Sequence, residues 1–306
     1  MRTAAALLAT LGVALTALPA AAQAPAGTVF EETIAPGRNY DKAEFKLWLP
    51  GGIASLQAIA LLVPGSNGDG RGQVDDPVWQ AFAVRHRLAL IGVRLTDQPH
   101  DLGFIEEYVN VSQGSGQALL DAIGAFAARA KHPELATAPF LLWGMSAGGE
   151  FNYEFVAWKP ERVVAFVVNK GNIYYTALAP KAARSVPGIL FTGGKDLEFR
   201  THTITGLFAV NRRAGALWAL AEEPSAGHIV GRSRDVALIL FEDALALRLE
   251  GGSSLKPLNE KSGFLGDLKA KTFQALGEDT VPNYPTAWLP TARVAERWQW
   301  LVTEKP

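Results

Sequence analysis

The chain has 306 residues, 48% of them hydrophobic and 19% charged, with a net charge of −1. That is ample apolar material for one large core, and the balanced charge excludes nucleic acid or an anionic membrane surface as an evident partner. No cysteine occurs, so the fold must hold without disulfides, thiolate metal ligands or a lipid-modified N-terminal cysteine.

The chain begins with Met1-Arg2, an apolar run over 4–18, and the small-residue end Pro19-Ala20-Ala21-Ala22. This is the order of a secretory signal peptide, 1–22, with cleavage after Ala22. The run is Ala-rich and short for a bilayer span, and no second stretch approaches membrane-helix length. The expectation is an exported bacterial protein, periplasmic or secreted, with no membrane association after cleavage.

Residues 23–250 read as one domain of alternating strands and helices. Residues 44–49 alternate polar and apolar like a half-exposed strand, closed by Pro50-Gly51-Gly52. The continuous apolar run 58–63 suits a strand buried on both faces. Residues 77–86 suit a helix capped by Asp75 or Asp76, and 88–93 a second buried strand. Over 116–131, Leu119, Leu120, Ile123 and Phe126 fall on one helical face. Further buried strands are predicted at 163–168, 188–192 and 217–221, and helices at 151–158, 203–213 and 236–249. Such alternation implies right-handed crossovers and a mostly parallel sheet with helices on both faces, the α/β class.

The most informative stretch is Pro139-Phe140-Leu141-Leu142-Trp143-Gly144-Met145-Ser146-Ala147-Gly148-Gly149. An apolar strand breaks into Gly-x-Ser-x-Gly and a helix follows, which is the context of a nucleophile elbow. There the serine occupies a strained turn above the sheet, and a Cβ at either flanking glycine would collide with backbone. The Ala147 N–H, opening the helix, would face a developing oxyanion. A glycine-rich βα turn without chemistry is the alternative.

Two later loops, each leaving a strand's C-terminal end, carry the partners such a serine needs. Gly193-Gly194-Lys195-Asp196 offers Asp196 as the acid that orients an imidazole, with Glu198 in reserve; the plainer role for Asp196 is to cap the next helix. Glu222-Glu223-Pro224-Ser225-Ala226-Gly227-His228 offers His228 as general base, with His202 its serious competitor. A second oxyanion donor is expected from Pro64-Gly65-Ser66-Asn67-Gly68, with the Ser66 N–H the chosen group. That loop lacks the spacing of either nucleotide-binding glycine motif.

With Ser146, Asp196 and His228 in that order, the chain resembles the α/β-hydrolase superfamily over residues 44–249. Within it the chain is most similar to exported esterases of the polyhydroxybutyrate-depolymerase-like, feruloyl-esterase-like and dienelactone-hydrolase-like groups. The resemblance implies a serine esterase that works through an acyl-enzyme, without cofactor or metal, on a small or polymer-derived ester. A serine peptidase of the same superfamily and a non-catalytic binding protein of the same fold are the rival readings.

Two further segments are expected to shape the cleft. One is the insertion Asn169-Lys170-Gly171-Asn172-Ile173-Tyr174-Tyr175. The other is a C-terminal extension, 251–306, with anchors Phe264, Trp288, Trp298 and Trp300 and little helical periodicity. It is expected to strap across the same domain, with 263–267 its part nearest the cleft.

Overall fold

In the computed structural model, residues 26–249, 254–277, 280 and 285–304 are described; the predicted signal peptide, 1–22, lies outside them. The main sheet is built from β1 (Gly27–Ile34), β2 (Lys42–Pro50), β3 (Ala58–Val63), β4 (Leu88–Thr96), β5 (Phe140–Gly144), β6 (Val163–Asn169), β7 (Gly188–Gly193) and β8 (Trp218–Glu223). Its order is β1-β2-β4-β3-β5-β6-β7-β8, and every pairing from β4 through β8 is parallel. Strands β1 and β2 add an antiparallel edge.

The helices are α1 (Pro77–His86), α2 (Ser115–Ala130), α3 (Ala147–Trp158), α4 (Lys181–Arg184), α5 (Glu198–Arg213) and α6 (Ser233–Arg248). The unbroken apolar runs follow from their placement. In β3, Ile59, Leu61 and Val63 enter the core layer shared with α2, α3 and α5, while Ala58, Ala60 and Leu62 enter the layer shared with α1 and α6. A period of two with both faces covered leaves no position for a polar side chain. Helix starts and stops also have local causes. At α1, Asp76 caps by accepting the Val78 N–H at 2.7 Å, Pro77 occupies the first turn, and Arg87 ends the helix at φ 50°.

Several boundaries differ from the sequence expectation. Strand β1 was not anticipated, because its exposed edge position gives a weak apolar signal and β2 supplies its pairing. Helix α5 begins at Glu198 rather than 203, its first turn mixing exposed Glu198 and Phe199 with buried Arg200, which breaks the apolar pattern.

The C-terminal segment forms β9 (Phe264–Asp267), β10 (Thr272–Ala275) and β11 (Thr286–Leu289), a small antiparallel sheet, followed by α7 (Ala292–Val302). The expectation of little helical periodicity was wrong for its end: Val294, Ala295, Trp298, Leu301 and Val302 recur at helical spacing and are buried. They join the core layer of α1 and α6, and the Trp298 indole donates to the Leu220 carbonyl of β8 at 2.7 Å. Trp288 donates likewise to the Glu260 carbonyl at 2.8 Å. Among the described residues no helix is long and apolar enough to cross a membrane.

Candidate active site

Ser146 sits between β5 and α3 with φ 54° and ψ −125°, a conformation that L residues adopt only when surroundings enforce it. The enforcement is visible. A Cβ on Gly144 would strike the Gly148 carbonyl, and one on Gly148 would strike the carbonyls of Val63 and Pro64. The Ser146 N–H donates to the Asn169 carbonyl at 2.8 Å, which ties the turn to the end of β6. The serine hydroxyl is thereby lifted above the C-terminal edge of the parallel strands.

Two other strand ends bring partners to it. His228, in the loop after β8, places Nε2 at 3.0 Å from Ser146 Oγ, and its Nδ1 lies 2.8 Å from Asp196 Oδ2. Asp196, in the turn after β7, has a side chain only 3% exposed. Burial alone would raise its carboxyl; hydrogen bonds from His228, the Leu197 N–H and Arg200 outweigh this and hold it below the usual carboxylate range. A hydroxyl, an imidazole and an ionised carboxylate in line can move a proton off oxygen and stabilise the cation that results. The reserve candidates lie elsewhere: Glu198 and His202 face each other at 3.7 Å on the surface of α5, 86% and 72% exposed.

The loop 65–68 passes beside the serine. The Cβ position of Gly65 lies 3.5 Å from Ser146 Cβ, and Ser66 lines the same cleft. The loop is braced by Gly68 N–H to the Gly65 carbonyl at 2.9 Å and by Asn67 N–H to the Tyr108 hydroxyl at 3.2 Å. Ala147 is the first residue of α3, so its N–H has no intrahelical acceptor and points with the positive end of the helix. Ser66 and Ala147 thus both lie beside Ser146.

The cleft has walls that local sequence patterns did not single out. Glu106 and Phe104 enter from the loop after β4, Glu150 from the first turn of α3, and Arg200 from α5. Only Asn172 falls in a segment already marked as pocket-forming; its neighbour Tyr174 packs edge-on against Tyr153 at 5.1 Å. Glu150 accepts the Asn172 N–H at 2.5 Å, and burial together with the nearby Glu106 pushes its carboxyl up to about 8. Helix α3 clamps the same loop again one turn later, where Glu154 accepts from the Tyr175 and Thr176 N–H groups. Residues 263–267 do not line the cleft. The tail instead approaches through Glu304, which accepts from Ser225 and Arg232 on either side of His228.

No protein-family model matches the sequence, and no curated protein matches it. Solved structures do. A ferulic acid esterase superposes with a TM-score of 0.51 at 10% identity, over 72% of this chain and 98% of that one. A candidate dienelactone hydrolase from Klebsiella pneumoniae subsp. pneumoniae matches with a TM-score of 0.45 at 17% identity, over 72% and 96%. The first of these bears on architecture: strand order, crossovers and helix layers are those of the α/β-hydrolase fold.

Proposed function

We propose that the chain is a serine hydrolase that cleaves carboxylic esters through Ser146, His228 and Asp196. The observation that carries this reading is the unbroken line from Ser146 Oγ to His228 Nε2 at 3.0 Å and from His228 Nδ1 to Asp196 at 2.8 Å. In the proposed cycle Ser146 Oγ attacks the ester carbonyl while His228 takes its proton. Asp196 accepts the Nδ1–H, sets the tautomer and stabilises the imidazolium. The N–H groups of Ser66 and Ala147 receive the carbonyl oxygen as it becomes an alkoxide. Collapse expels the alcohol, protonated by His228, and leaves an acyl group on Ser146. Water, deprotonated by the same imidazole, then releases the acid and restores the serine. The cycle requires no cofactor or metal, and its substrate is a small or polymer-derived ester. Export follows from the signal-like segment 1–22, and a periplasmic or secreted location belongs to the same proposal.

The test is hydrolysis of 4-nitrophenyl acetate beside labelling by a fluorophosphonate. Wild-type protein should hydrolyse the ester and take one label, at Ser146, and Ser146→Ala should do neither. Labelling at another residue, or an active Ser146→Ala protein, refutes the assignment. Faster cleavage of an aminoacyl anilide than of the ester would transfer the reading to a peptidase.

A further inference from the structure

One wall of the cleft beside Ser146 is polar and lacks partners of its own among the described residues. The cavity is about 630 Å³, room for a substituent well beyond a short acyl group. Glu106 is 7% exposed, yet among the described residues its carboxylate has neither a hydrogen-bond donor nor a cationic partner. Asn172 is also 7% exposed, and its side-chain amide makes no hydrogen bond within the protein. Glu150 uses one oxygen for the Asn172 N–H and lies near enough to Glu106 to feel its charge. Three separate elements, the loop after β4, the loop after β6 and the start of α3, therefore line one cleft with polar groups that no described residue fills. Their polar atoms face the cleft, where a ligand's donors can meet them in place of bulk water.

The cation that shares the cleft, Arg200, is committed only in part, for its Nε is buried without a hydrogen-bond partner. Arg200 donates Nη1 to Asp196, and its guanidinium lies over the rings of Phe104 and Phe199 at 5.7 and 5.3 Å. With the Arg200 charge set against Asp196 at 3.2 Å, the Glu106 carboxylate is left for a ligand's donors to meet. We propose that Glu106, Glu150 and Asn172 form an ammonium-binding subsite, so that the preferred substrates are esters carrying a primary ammonium group; this rests on the serine hydrolase reading above. An ammonium has three N–H donors in a fan; Glu106 and the Asn172 amide oxygen offer acceptors to it, and Glu150 becomes a third when the cation's charge favours its ionised form. Hydrogen bonds with a charged partner are about twice as strong as neutral ones, which favours the cation over a hydroxyl. A carboxylate substrate would meet Glu106 with like charge. Phe104, 65% exposed at the mouth, adds an aromatic face that a cation passes on entry.

The experiment uses n-butylammonium, n-butanol and butyrate as competitive inhibitors of 4-nitrophenyl acetate hydrolysis. Butylammonium should bind at least about tenfold more tightly than butanol in the wild type, with butyrate weakest. In Glu106→Gln the ratio should shrink to within about twofold, because the charged acceptor is gone. Equal inhibition by amine and alcohol, or tighter binding of the alcohol, overturns the subsite, as does a ratio that survives in Glu106→Gln. The wild-type comparison needs no variant to fold. A second readout is the melting temperature of Ser146→Ala protein with each compound, which butylammonium alone should raise. If the wild type cleaves no ester but this rise is present, the hydrolase reading fails and the ammonium site stands. If the ester is cleaved and the rise is absent, the reverse holds.

Discussion

Lys170 and Glu223 form a buried ion pair near the loops that carry Ser146 and His228, and replacing Lys170 by Met should separate what holds the fold from what holds the site. Lys170 Nζ lies 3.1 Å from Glu223 Oε2, with the two side chains 0% and 2% exposed. The same ammonium donates to Asn169 Oδ1 at 3.2 Å, and Glu223 Oε1 accepts the Arg232 N–H at 2.7 Å. Asn169 in turn holds the Ser146 N–H with its carbonyl and donates its side-chain amide to Ser233 Oγ at 2.8 Å. The pair thus joins the elbow to the loop that carries His228. Lys170→Met leaves Glu223 buried with a single donor, and breaking a buried pair in this way costs about 3–5 kcal/mol. That is a large part of the ~5–15 kcal/mol available to a domain. The double replacement Lys170→Met with Glu223→Leu removes the stranded charge and should recover about 2 kcal/mol of the loss, leaving the unpaired Arg232 N–H as the residual cost. Activity should not recover with it. The elbow and the histidine loop would keep only the link through the Asn169 amide, and misplacement on the order of 1 Å costs roughly a hundredfold in rate. Urea unfolding at pH 7 gives the stabilities, and kcat on 4-nitrophenyl acetate gives the activity. A single variant within about 1 kcal/mol of the wild type, or a double variant with full kcat, refutes the reasoning.

Two further outcomes follow from the same structure. Trp298→Ala removes an indole that is fully buried and bonded to the Leu220 carbonyl, and should destabilise by about 3–5 kcal/mol in urea titration; a loss under about 1 kcal/mol would show α7 to be an appendage. Glu150 has a folded pKa of about 8, raised by burial and by Glu106 above the ordinary 4.5, so its protonated form favours the folded state. That contribution is complete below pH 4.5 and is lost as pH rises towards about 8; a fall of a few kcal/mol over this window should be flattened by Glu150→Gln, and an unchanged profile in the variant would contradict it.

Much of the architecture was legible in order along the chain, for one physical reason. Strands covered on both faces are apolar at nearly every position, so 58–63, 140–143, 163–168 and 188–192 stand out without knowledge of their neighbours. The elbow was equally legible, since a strained serine flanked by close backbone admits only glycine at 144 and 148. Asp196 and His228 were marked by the loops they occupy, because chemistry in such sheets gathers at strand C-terminal ends. Elements whose stability comes from partners were harder to read. Strand β1 exists through pairing with β2, and α7 through the apolar face it lays against β8 and α6.

By itself, then, the sequence determined which residues could be strands, where the sharp turn falls, and which serine, aspartate and histidine stand at strand ends. Tertiary structure alone decided that those three come within 2.8 and 3.0 Å of one another, and that Glu198 and His202 turn to solvent instead. It alone brought Glu106, Glu150, Asn172 and Arg200 to the wall of one cleft. Local patterns report the constraints a residue feels from its chain neighbours, whereas a cleft is made of side chains whose only relation is the crossover geometry that stacks their strands side by side.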